Sequence, residues 1–94
     1  MTIQTTPPDL DPNAVHWQHR ERLPVWTVYE RPTDYPDGYV ARMFLSIGRT
    51  TNPEVTQVAI YAASLREVRS RLPAGLCQMA RHEADDPHIV ESWI

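Results

Sequence analysis

Residues 39–47, YVARMFLSI, constrain the fold more than any other stretch of the chain. Tyr39, Ala41, Met43, Leu45 and Ile47 recur at a period of two, the side-chain period of a β-strand that buries one face. The alternate positions, Val40, Arg42, Phe44 and Ser46, are themselves half apolar. A strand that is apolar on one side and mixed on the other belongs in the interior of a sheet. A lone hairpin cannot shield such a strand, so the rest of the chain must supply further strands and a cover.

The flanking segments read as those parts. Residues 25–31, VWTVYER, are rich in β-branched and aromatic side chains and form a first strand, with Trp26 and Val28 on one face and Val25, Thr27 and Tyr29 on the other. Pro32 ends it, and TDYPDG at 33–38 is turn chemistry, with Gly38 expected at positive φ. A polar loop with Asn52-Pro53 leads to a third strand at 55–62, where Val58, Ile60 and Ala62 share a face. Ser64-Leu-Arg-Glu67 is a capping box, and Leu65, Val68 and Leu72 make one stripe on the helix it opens. Pro73 and Gly75 stop that helix.

The remaining residues read as a hairpin, with strands at 76–82 and 88–94 joined by 83–87. In the last strand Val90 and Ile94 alternate against Ile89 and Trp93. The order β-β-β-α-β-β predicts an α+β fold, an antiparallel sheet of four to five strands with one main helix packed on one face.

Residues 1–24 hold four of the nine prolines, and 1–23 read as a flexible N-terminal extension ahead of a single domain at 24–94. Asp11-Pro12 is an N-cap followed by a first-turn proline, which places a short helix at 12–22. Trp17 is its only large side chain, so the helix is expected to persist by docking Trp17. The start of the chain lacks the basic and apolar regions of a secretory signal, and Cys77 has no partner cysteine; both fit a cytoplasmic protein.

The formal charge of −3 gives no reason to expect broad nucleic-acid binding. All nine basic residues are arginine, which fits the codon usage of a GC-rich bacterium or its phage as well as it fits anion recognition. Arg66, Arg69 and Arg71 lie off the apolar stripe of the helix, where they form either a solvated face or the contact surface of a nucleic-acid-associated regulator. His82, Asp85, Asp86 and His88 offer mixed nitrogen and oxygen ligands for a small metal-binding protein or enzyme, although a polar hairpin loop needs the same residues. Cys77, between Leu76 and Met79, reads as a buried structural thiol. With three glycines and no phosphate-cradling loop, no cofactor and no catalytic residue are implied. A domain this small is expected to have little room for a pocket of about 300 Å³ or more.

Aromatic residues exceed what one small core face can hold. The reverse face of the sheet therefore carries the candidate interaction surface: Tyr35, Arg42, Phe44 and Trp93. Arg42 sits mid-strand, where it needs a carboxylate from Glu30, Asp34 or Glu91, or else faces a partner. The other candidate to cover this face is the N-terminal segment, led by Trp17. Together these features point to a non-enzymatic protein-binding or structural module, homodimeric or paired with another protein, with no membrane partner.

Trp26-Thr-Val-Tyr29, Pro32-x-Asp34-Tyr-Pro36 and Tyr39-Val-Ala-Arg42 resemble the opening of a group of small bacterial proteins of unknown function. Leu65 to Arg69, Leu72 to Leu76 and Asp85 to Trp93 are similar to that group's helix, its L-P-x-G-L run and its closing D-D-P-x-I-V-E-x-W pattern. The resemblance spans residues 25–94. It implies bacterial origin and one intact domain, and it brings no activity with it.

Overall fold

The computed structural model describes residues 11–46, 54–79 and 86–94. In chain order the elements are α1 (Pro12–Gln18), a 3-10 turn (Arg20–Arg22), β1 (Pro24–Glu30), β2 (Tyr39–Leu45), β3 (Glu54–Ala62), α2 (Leu65–Arg71), β4 (Gln78–Met79) and β5 (Ile89–Trp93). The strands form one antiparallel sheet in the order β3-β2-β1-β5-β4. The α+β class expected from the sequence is therefore the fold. β2 is interior, as its two-sided composition requires, and β1 is the middle strand. The fourth strand is shorter than the expected 76–82, of which 80–82 lie outside the described residues, as do Ile47 and most of the 83–87 connection.

The core lies between the sheet and α2. Trp26, Val28, Ala41, Met43, Leu45, Ile60, Ala62 and Val68 are buried together, with Tyr39, Val58, Leu65, Leu72, Leu76 and Trp93 packed around them. The β2 period of two and the Leu65–Val68–Leu72 stripe meet here, as their spacing demands. Full burial of each large aliphatic or aromatic side chain contributes about 1.5–3 kcal/mol, so this face carries most of the stability. α2 has only seven residues and depends on that contact. Its start is fixed locally: the Ser64 hydroxyl accepts from the Glu67 amide at 3.1 Å, and Glu67 reaches back to the Ala63 amide.

Two irregularities redirect side chains. Between β1 and β5 the register moves from Val28↔Glu91 to Tyr29↔Ile89, leaving Val90 as one extra residue. Between β2 and β3 it moves from Arg42↔Ala59 to Phe44↔Val55, two extra residues that preserve the facing. The Thr56 hydroxyl fills that second gap, donating to the Met43 carbonyl at 2.7 Å and accepting from the Val58 amide at 3.2 Å.

The turn after β1 works differently from expectation. Arg31, not Gly38, takes the positive φ, at 48°. Gly38 is needed for space: a Cβ there would lie 2.5 Å from the Ala62 carbonyl oxygen and 2.5 Å from Tyr35 Cε2. Gly75 does adopt the left-handed conformation, φ 83°, where α2 ends.

α1 forms where Asp11-Pro12 placed it, with Asp11 Oδ1 accepting from the Asn13 amide at 3.0 Å. Trp17 does not dock it. That side chain is 54% exposed, and Val15 and His16 make the contact instead. Val15 packs on the core, and His16 Nδ1 accepts from the buried Trp26 indole at 3.0 Å. Because Trp17 lies two positions from Val15 and one from His16, a seven-residue helix cannot turn all three toward the sheet. No described helix is long and apolar enough to cross a membrane.

Candidate functional site

The reverse face of the sheet is built by the residues that alternate with the core: Val25, Thr27 and Tyr29 from β1, Val40, Arg42 and Phe44 from β2, Ala59 and Tyr61 from β3, and Ile89 and Ser92 from β5. α1 and α2 both pack on the opposite face, so the described N-terminal helix does not fold back over this one.

Half of the reverse face has an internal cover. The connection between β1 and β2 lays Tyr35 edge-on against Tyr61, with ring centroids 5.1 Å apart at 76°, over Val40 and Ala59. Beside it Arg42 forms an ion pair with Asp34. Of the three acids the sequence offered, Asp34 is the partner because the turn carries it back over β2. Burial pushes the Tyr61 hydroxyl up from its ordinary pKa, and the adjacent Arg42 opposes that shift.

The other half is an apolar concavity. Val25, Thr27, Tyr29, Phe44 and Ile89 line a groove of about 280 Å³. Val25 is shared with a second groove of about 560 Å³, lined by His16, Arg20, Leu23, Pro24, Ser46, Cys77, Met79 and Ile94. Leu23, Met79 and Ile94 are among the exposed large hydrophobics, and all three border the larger groove. Contiguous exposed apolar surface of this kind marks a contact site more reliably than isolated apolar residues do. The expectation that so small a domain has little room for a sizeable pocket is corrected: the space is an open trough at the strand ends, rimmed by His16 and Arg20, not an enclosed cavity in the core.

The four expected contact residues part company here. Phe44 lines the groove, Arg42 and Tyr35 form the neighbouring covered half, and Trp93 is on the opposite face. The extra residue at Val90 is the cause. Without it Ile89 and Trp93 would share a face; with it Ile89 pairs beside Tyr29, while Trp93 lies opposite the core residue Trp26. Sequence reasoning also missed Leu23, Met79 and Ile94. Ile94 ended an apolar chain segment, which was a signal. Leu23 has a left-handed backbone, φ 50°, that holds it out of the core. Cys77 is exposed at the rim of this trough, not buried, because it lies at the sheet edge near the short β4.

On the core face, Glu91 is a buried carboxylate, 2% exposed, directly under α2. Arg69 donates to it twice, Nε to Oε2 at 3.0 Å and Nη2 to Oε1 at 2.5 Å. Trp93 Nε1 donates to Oε2 at 2.7 Å and Gln78 Nε2 to Oε1 at 3.3 Å. The bonds from Arg69 hold the Glu91 carboxyl below its ordinary pKa, against the opposing effect of burial. Arg71 donates to the Tyr61 carbonyl at 2.7 Å. Two of the three helix arginines are therefore committed to internal bonds. At the 82–88 turn, His82 and Asp85 lie outside the described residues. Asp86 accepts from the His88 amide, and His88 Nδ1 lies 3.0 Å from the Glu30 carbonyl. No group of three metal-ligating side chains occurs among the described residues.

No family model matches the chain, and neither a curated protein nor a solved structure is found to be similar to it.

Proposed function

We propose that the protein is a non-enzymatic binding module whose working surface is the reverse face of the sheet, pressed against a protein partner. The observation that supports this most is the pair of apolar grooves that share Val25, one lined by Phe44 and the other by Leu23, Met79 and Ile94. Large apolar side chains half in water cost free energy unless something covers them, and a sheet face is a broad, shallow shape suited to a protein surface. The ordered polar groups on this face, Arg42 and Asp34, satisfy each other.

The test is site-specific photo-crosslinking in cells that make the protein. A benzoylphenylalanine at position 44 should give a discrete protein adduct, and the adduct should be lost when Met79 is changed to Glu. The same probe at Gln57, exposed on β3, should give none. Absence of an adduct at position 44, or equal labelling at Gln57, would overturn the reading.

A further inference from the structure

We infer that the larger groove, at the strand ends, binds a small amphipathic monocarboxylate, its apolar body against Leu23, Pro24, Val25, Met79 and Ile94 and its carboxylate at Arg20 and His16. The inference goes beyond the protein-binding reading and does not require a partner at Phe44.

The first support is size and lining. The groove holds about 560 Å³, inside the range of roughly 300–1,000 Å³ for small-molecule sites, whose walls are mostly apolar with a few placed polar groups. The apolar side chains come from the start of β1 and from the sheet edge at Met79 and Ile94, whereas His16 and Arg20 stand on the helical segment before β1.

The second support is charge. Among the described residues Arg20 is the only charged side chain lining this groove. Arg22, Arg42 and Arg69 are paired with Glu54, Asp34 and Glu91. Arg20 pairs with no carboxylate among the described residues; its Nη1 donates to the Trp17 carbonyl at 3.0 Å. That bond steadies the guanidinium and leaves its other N–H groups for a ligand, in the fork that carboxylates fit. His16 adds a donor. Its Nδ1 accepts from the Trp26 indole, which can only donate, so the neutral ring carries its proton on Nε2. Nε2 has no hydrogen-bond partner among the described residues. The net charge of −3 does not attract an anion at long range, so selection falls to these two groups.

The third support is backbone strain. Leu23 is left-handed, φ 50°, a conformation unfavourable for a bulky side chain. Ser46 holds it there, donating to the Leu23 carbonyl from its amide at 3.2 Å and its hydroxyl at 2.9 Å. The result is a leucine 55% exposed on the groove. Glycine would serve the turn better, so the strain has its use in what the leucine touches.

Calorimetric titration of the full chain with octanoate tests this, together with the rate at which iodoacetamide alkylates Cys77, the one cysteine, which lines the same groove. Octanoate should bind with a Kd below about 1 mM and slow the alkylation. Arg20→Gln, at an exposed side chain on which the core does not depend, should weaken binding at least about tenfold, and octanol in place of octanoate should do the same, since each removes a charge-assisted hydrogen bond. Leu23→Gly should weaken binding while keeping or raising Tm, because glycine takes the left-handed conformation without strain. No saturation by octanoate at concentrations well above about 1 mM would overturn the inference. So would octanol binding as tightly as octanoate, or full affinity in either variant. Binding that leaves the alkylation rate unchanged would also overturn it, because the ligand would then lie elsewhere. The protein-binding reading is judged separately, by the adduct at position 44.

Discussion

Arg69→Ala tests the physical account of the fold most directly. Glu91 is 2% exposed and its carboxylate accepts two of its four hydrogen bonds from Arg69. Removing one member of a fully buried ion pair costs about 3–5 kcal/mol, because the other charge is left without compensation. Arg69 is 47% exposed, however, so water enters as the guanidinium leaves and recovers part of the loss. The expected destabilisation is therefore about 2–3 kcal/mol, or roughly 10–20 °C in Tm for a domain of this size. Urea unfolding followed by tryptophan fluorescence measures it. Arg69→Met separates the charge from the packing of the aliphatic stem. A double-mutant cycle with Glu91→Gln should give a coupling of about 1.5–3 kcal/mol.

The pH dependence supplies an independent check. The folded-state pKa of Glu91 is depressed, so its contribution is fully present above its ordinary value of 4.5 and is lost as pH falls through the lower folded value. Arg69→Ala removes the main cause of the depression and leaves burial, which acts in the opposite direction. The variant should lose the acid-side fall in stability below pH 4.5. A loss under about 0.5 kcal/mol with an unchanged acid slope would refute the buried-clamp argument, since it would mean that the carboxylate is solvated in the folded protein.

Three further outcomes follow from named contacts. His16 has its pKa lowered by burial, and Nδ1 must be unprotonated to accept the Trp26 indole, so docking of α1 should be complete above pH 6.5 and weaken as pH falls through the lower folded value; the Trp26 indole proton resonance should follow that transition, and His16→Asn, which keeps an acceptor but cannot be protonated, should abolish it. Gly38→Ala should cost about 1–3 kcal/mol by overpacking, because the Ala62 carbonyl it would meet is backbone and cannot move aside; thermal melting that shows no loss would exclude the close approach. Trp17→Ala should change Tm by no more than a few degrees, within about 0.5 kcal/mol, whereas Val15→Ala should cost about 1 kcal/mol, and the reverse ranking would return Trp17 to the anchoring role expected from sequence.

What the sequence determined by itself is local. The period of two in β2 oriented Ala41, Met43 and Leu45 toward the core, because strand geometry leaves alternate side chains no other choice. Ser64 and Glu67 placed the start of α2, and Asp11-Pro12 placed α1, because caps are satisfied within one turn. Those signals sufficed for the fold class and the core face, and for putting Arg42 and Phe44 on the other side.

Tertiary structure decided what depends on distant residues meeting. The extra residue at Val90 exists only against β1, and it moved Trp93 into the core side while leaving Ile89 at the groove. Asp34 became the partner of Arg42 because of where the turn returns over β2. Trp26 selected His16 rather than Trp17 as the contact of α1, because a buried indole N–H needs an acceptor and His16 offers one. The His16–Trp26 contact holds α1 on the core face, where α2 also packs, and the groove at Phe44 lies open on the other.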